Sequence, residues 1–182
     1  MSNSVGIIAN PASGKDIRRL VAHASVFDNH EKVHILERAI LALDALEVER
    51  VFYMPDYYSL VERALDGLKL TLEVAVLPLD VYADERDSTE AARQLRERDV
   101  GCILTLGGDG TNRAVAKSCG RVPIVAVSTG TNNVFPGMLE STVAGMAAGL
   151  VARRLVDLDG VSYTAKRLEV YVLSLIHISE PT

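Results

Sequence analysis

Apolar and polar positions along the chain alternate between two periods. The run "VGIIAN" (5–10) is continuously apolar and stops at Asn-Pro, which predicts a buried strand with a turn behind it. "DIRRLVAHA" (16–24) has the spacing to begin a helix. In "EKVHILERAILALDAL" (31–46), Val33, Leu36, Ile40, Leu43 and Leu46 recur every three or four residues, so they share one helical face. A second strand is predicted at 50–55, ended by Pro55, then a helix at 58–68 and a third strand at 72–79. Asp87 with Glu90 has the spacing of a capping box opening a helix over 88–98. A fourth strand (100–106), a short helix (111–119), a fifth strand (122–128) and a last helix (140–152) complete the pattern.

Strands that are apolar throughout, alternating with amphipathic helices, require cover on both faces. The expected fold class is therefore α/β, a doubly wound, mostly parallel sheet. From about residue 155 the helical period is lost, and "RLVDLDGVSYTAKRLEVYV" has a strand-and-turn pattern. This predicts a nucleotide-binding α/β domain over 1–154 and the start of a truncated β-rich second domain over 155–172. The last ten residues, "LSLIHISEPT" (173–182), read as the translation of a transposase adapter end, a non-native tail that is set aside from fold reasoning.

Composition narrows the class. The chain has 182 residues, 48% of them apolar and 24% charged, ordinary values for a soluble globular protein. A formal net charge of −5 argues against a nucleic-acid partner, which would call for a basic face. The two cysteines, Cys102 and Cys119, have no metal-ligand spacing, so no metal site is expected from them, and a reduced, cytoplasmic setting is. The start, "MSNSVGIIANP", lacks the basic and apolar regions of a signal peptide, and no segment is long and apolar enough to span a membrane.

Ligands of open parallel sheets bind beyond the carboxyl ends of the strands. Three polar, Gly-containing loops fall there: "NPASGKD" (10–16), "GGDGTN" (107–112) and "STGTNN" (128–133). Singly, each is most simply a tight turn. On one sheet edge they describe a cleft of backbone N–H groups and small hydroxyls, which suits phosphate. Two common nucleotide motifs fail. The P-loop pattern has Ala9 at its first Gly and Asp16 after Gly14-Lys15, and the dinucleotide fingerprint has Arg113 where its third Gly belongs.

The three loops resemble those of the superfamily of NAD kinases and diacylglycerol/sphingosine-type lipid kinases. That superfamily's signature is a strand followed by Gly-Gly-Asp-Gly-Thr, here Gly107-Gly108-Asp109-Gly110-Thr111. "NPASGK" is similar to its first loop and "STGTNNVF" to its third. The resemblance covers about residues 5 to 150 and is strongest to the bacterial ATP-NAD kinase family that includes acetoin-catabolism X-type proteins. It implies phosphoryl transfer from ATP, or from polyphosphate, to a hydroxyl, with Mg²⁺. The acceptor it favours is the adenosine ribose 2′-hydroxyl of NAD. Asp109 would be catalytic, accepting the hydroxyl proton or holding Mg²⁺. Asn10, Ser13, Gly14, Lys15, Gly107, Gly108, Gly110, Thr111, Asn112, Thr129, Gly130, Thr131, Asn132 and Asn133 would bind the nucleotides. Read from the residues alone, Asp109 equally suits a cap on a helix starting at Thr111.

The third loop leaves the acceptor open. Ser128 stands where NAD kinases usually carry Asn, and Asn132-Asn133 where they carry Leu-Gly. Gly130-Thr131-Asn132-Asn133-Val134-Phe135 follows the lipid-kinase pattern except for Val134 in place of Asp. A lipid acceptor and an inactive nucleotide-binding module therefore remain alternatives. Family enzymes build much of the acceptor pocket from a second domain, which often also mediates oligomerisation, so the resemblance implies a homo-oligomer for a full-length protein. Of the remaining polar candidates, His23, His30 and His34 read as solvent-facing helix residues. Tyr53, Tyr57 and Tyr58 read as packing around Pro55, and Asp56 and Asp80 follow strands, where Asp80 could meet a ribose.

Overall fold

The apolar runs become five strands joined through helices. The computed structural model describes residues 2–14, 28–129 and 133–166. Its strands are β1 (Ser2–Ala9), β2 (Arg50–Tyr53), β3 (Glu73–Val76), β4 (Val100–Gly107) and β5 (Ile124–Ser128). Among the described residues the helices are α1 (Asn29–Ala45), α2 (Leu60–Leu65), α3 (Glu85–Glu97), α4 (Asp109–Ala116) and α5 (Ser141–Ala152). Every strand pair is parallel, in the order β3-β2-β1-β4-β5. The fold is a doubly wound α/β domain.

The two faces have separate cores. Val5, Ile7 and Ala9 of β1 and Cys102, Leu104 and Leu106 of β4 pack with α1, α2 and α5. Ile8 and Ile103 project the other way, onto Ala91, Ala92 and Leu95 of α3 and Val115 of α4. This is the period-two alternation of a strand buried on both sides. α1 and α5 approach closely, because a Cβ on Gly145 would stand 2.5 Å from the carbonyl oxygen of Ala39.

Several boundaries differ from the sequence pattern, each for a local reason. Strand β3 spans Glu73–Val76 rather than 72–79; it is a half-exposed edge strand, and Pro78 follows it closely. Helix α2 starts at Leu60, because the Asp56 carboxylate takes the N–H groups of Tyr58 and Leu60 and Ser59 is left-handed at φ 56°. Helix α3 starts three residues before the expected position. Its N-cap is Asp84, whose carboxylate accepts from the Arg86 N–H, while Asp87 reaches back to the N–H groups of Tyr82 and Ala83. Asp87 is thus the returning member of the cap, and the Asp87–Glu90 pairing is replaced by Asp84–Asp87. The helix expected at 16–24 and the tail at 173–182 lie outside the described residues. Residues 155–166 continue as turns and irregular chain, and 167–172 lie outside the described residues.

All five strands point the same way, so their carboxyl ends share one edge. From β1 the chain winds to β2 and β3 on one side, then crosses to β4 and β5 on the other. The loops after β1 and β4 diverge at this reversal, and a crevice opens between them.

Candidate active site

A cleft of about 720 Å³ occupies that crevice. One wall is the first loop, Asn10 to Gly14. A second is the start of α4, with Gly108, Asp109, Gly110, Thr111, Arg113 and Ala114. The far side comes from Met54, Asp56 and Tyr57 after β2, and from Val81 to Ser88 at the head of α3. Of the expected binding residues, Asn10, Ser13, Gly14, Gly108, Gly110, Thr111 and Asn133 line the cleft together with Asp109. Lys15, Gly130, Thr131 and Asn132 lie outside the described residues.

Gly107, Asn112 and Thr129 stand behind the wall. Asn112 is buried; it accepts from the Thr105 hydroxyl at 2.7 Å and donates to the Gly108 carbonyl at 3.0 Å, tying α4 to β4. Thr129 is wholly buried and donates to Ser13 Oγ at 2.8 Å. The glycines divide likewise. A Cβ on Gly107 would lie 2.5 Å from Thr111 Oγ1, and one on Gly108 2.9 Å from Asn133 Oδ1, whereas a Cβ on Gly110 would meet nothing within 4 Å. Gly107 is bare because Thr111 fills the space beside it, while at Gly108 the neighbour is the end of the Asn133 side chain. Gly110 is bare towards open space.

The three loops are knit by side-chain bonds. Asn10 Nδ2 donates to Thr111 Oγ1 at 2.9 Å, linking the first loop to the second. Thr129 links the third to the first. Asn133 donates to Ser128 Oγ at 2.8 Å and accepts from the Asp109 N–H at 3.3 Å, linking the third to the second. Helix α4 begins at Asp109, and its N-cap, Gly108, offers no side chain. Asp109 therefore does not cap a helix starting at Thr111. Its carboxylate instead accepts from the backbone N–H groups of Val134, at 3.1 and 3.0 Å, and Phe135, at 2.9 Å.

The rest of the rim is acidic, but its carboxylates are engaged. Burial pushes the Asp56 carboxyl up from its ordinary value, against the pull of the Leu60 and Tyr58 N–H groups. Glu85 receives Lys117 at 3.1 Å and Arg113 at 3.4 Å from α4, and these cations lower its carboxyl, Lys117 most. Among the described residues no group of three or more His, Cys, Asp or Glu is placed to hold a metal ion. Mg²⁺ is commonly held by one or two carboxylates together with substrate phosphates, and Asp109 is one carboxylate of the cleft wall that could serve so.

Of the tyrosines, Tyr57 lines the cleft, while Tyr53 is buried and Tyr58 lies under Arg63. Burial, then Glu62, pushes the Tyr53 phenol up to about 12. His30 and His34 are exposed; His23 lies outside the described residues. Asp80 is exposed and borders a separate, smaller hollow.

One component has no counterpart among the expected residues. Lys32, on α1, is fully buried, and its ammonium donates to the carbonyls of Asn10, Pro11 and Ser13 at 3.1, 2.9 and 2.7 Å and to Asn29 Oδ1 at 3.1 Å. A sequence signal existed. Lys32, Leu36, Ala39 and Leu43 follow the three-and-four spacing of the buried stripe, so a lysine stands in core register.

A crevice lies at the strand-order reversal, walled in part by Gly108-Asp109-Gly110-Thr111 at a helix start, and the chain belongs to the ATP-NAD kinase family. The family model for the ATP-NAD kinase N-terminal domain matches residues 5–155. The chain is 39% identical over 183 aligned positions to acetoin catabolism protein X of Cupriavidus necator, a name that states a pathway and no reaction. The match takes in 92% of this chain and 49% of that protein, so the chain spans about half the length of its curated relative. No solved structure matches the chain. Among the described residues no helix is long and apolar enough to cross a membrane.

Proposed function

We propose that this domain binds ATP in the cleft and serves phosphoryl transfer to the adenosine ribose 2′-hydroxyl of NAD. The observation that carries this reading is the start of α4. Gly110 presents bare backbone to open space, in the first turn of a helix whose N-cap, Gly108, has no side chain, and the carboxylate of Asp109 stands beside it in the cleft wall. First-turn N–H groups and the helix dipole suit phosphate oxygens. Asp109 would orient the acceptor hydroxyl and take its proton. Asp56, Asp84, Glu85, Asp87 and Asp109 all border the cleft, so bare polyphosphate would meet repulsion. Mg²⁺ bound with the nucleotide would supply the neutralising charge. NAD is the acceptor that the family match favours.

A second reading is a nucleotide-binding module without turnover. It is favoured by the bonds that already occupy the Asp109 carboxylate, from Val134 and Phe135. One experiment separates the two. NAD and a diacylglycerol are offered side by side with Mg²⁺ and ATP, to the full-length wild type and to its Asp109→Asn variant. Under the main reading NADP forms, and the variant loses about 10²- to 10⁴-fold in turnover, the usual size of a general-base contribution. ATP binding changes much less. Phosphatidic acid in place of NADP would transfer the proposal to lipid chemistry. ATP binding with neither product would leave the binding module.

A further inference from the structure

We propose that Lys32 is the positioning residue of the cleft's first loop, a buried ammonium that plays the part of a structural cation. An isolated charge in a protein interior is costly unless hydrogen bonds surround it. Here four oxygens surround the Lys32 ammonium within 3.1 Å, three of them consecutive or near-consecutive carbonyls of one loop. Carbonyls of a tight turn repel one another when they converge, so the convergence needs a cation at its centre. Lys32 reaches it from α1, which is anchored in the sheet core through Leu36, Ile40 and Leu43.

The consequences run to the cleft. With its carbonyl held, Asn10 accepts the Ala12 N–H on its side chain at 2.9 Å and still directs Nδ2 to Thr111. Ser13, held by its own carbonyl, donates its hydroxyl to the Asn10 carbonyl at 2.7 Å and receives Thr129. The loop's contacts to the second and third loops thus start from residues that Lys32 fixes from behind. The inference rests on the reading of this cleft as the phosphoryl-donor site only where it concerns ATP. The geometry of the loop stands without it.

The test uses Lys32→Met and Lys32→Ala in the 182-residue chain. Amide hydrogen exchange is followed at Asn10, Ala12 and Ser13, whose N–H groups are bonded to Leu106, Asn10 Oδ1 and the Asn10 carbonyl. Exchange there should accelerate about 10- to 100-fold, the scale of losing charge-assisted hydrogen bonds, while β4 amides keep their protection. Binding of MgATP should weaken at least about tenfold in parallel. Methylammonium added to Lys32→Ala should restore both, and tetramethylammonium, of equal charge but without N–H donors, should not. Where Lys32→Ala fails to fold, the same pair of ions decides, since methylammonium alone should recover the fold. Uniform acceleration through β4, an unchanged loop, or equal effects of the two ions would overturn the proposal. Wild type that binds no ATP would sink the nucleotide reading and leave the exchange result to judge Lys32 by itself.

Discussion

Glu140 shows how one side chain sets a boundary. It is the N-cap of α5, and its carboxylate accepts from the Val143 N–H at 3.0 Å and from the hydroxyls of Ser141 and Thr142 at 3.2 Å. The backbone N–H groups of Thr142 and Val143 hold its carboxyl at about 2, below the ordinary value of 4.5. The folded state therefore favours the ionised form. Its contribution to stability is fully present above the ordinary value and is lost as pH falls from about 5 towards 2. Glu140→Gln should lower the melting temperature at pH 7, and the gap to wild type should close over that acid range. A gap as wide at pH 3 as at pH 7 would mean that charge has no part in the cap. At the same scale, Lys32 shows what residue type conceals. Lysine reads as solvated until its register on the helix is weighed against its charge.

Strand β4 and helix α4 form the element on which the site is built, and its glycines make separable predictions. Gly107→Ala would drive a methyl into Thr111, an overpacking of about 1–3 kcal/mol visible in denaturant unfolding. Adding Thr111→Ala should recover only part of that loss, because the Cβ that alanine keeps would still stand 2.6 Å from the added methyl. Gly110→Ala meets no atom and lies in a helix, so stability should hold or rise by about 0.5–1 kcal/mol. MgATP affinity should nevertheless fall by about tenfold or more, since the methyl enters the space assigned to phosphate. A Gly110→Ala protein that binds MgATP as wild type does would remove phosphate from this position.

The whole molecule buries one thiol in each of its two cores. Cys102 lies on the α1 and α5 face, and burial pushes its thiol up to about 12; Cys119 lies on the α3 and α4 face. Neither should react with a thiol reagent at neutral pH in the native state, since thiolate is the reactive form and both sulfurs are shielded. If the sheet couples the faces into one cooperative unit, both should label at the same rate, set by global opening. Faster labelling of Cys119 would show that the α3 and α4 layer opens by itself. That layer carries Ala83 to Ser88 and Gly108 to Ala114 of the cleft, so its opening would also dismantle the site.

By itself the sequence determined the fold class, the placing of three Gly-containing loops on one sheet edge, and most of the cleft's first and second walls. Hydrophobic period is a local property, and a parallel sheet converts it into topology with little freedom left. Element ends were less legible, as at α2 and α3, because Asp56, Asp84 and Asp87 choose among nearby N–H groups by three-dimensional reach. What only the tertiary structure decided is the division of labour among similar residues. Gly107 and Gly110 look alike in the chain, yet one faces a threonine side chain and the other faces space. Asn112, next to Thr111, and Thr129, in the third loop, are also motif residues, yet they brace the loops from behind. Lys32 lies 19 to 22 residues beyond the loop carbonyls it meets, and the sequence pattern gives no hint of that contact; the ammonium reaches them because α1 packs on the β1 side of the sheet and brings its N-terminal turn to the loop. Long-range hydrogen bonds of this kind depend on the docking of whole elements, and no local pattern encodes them.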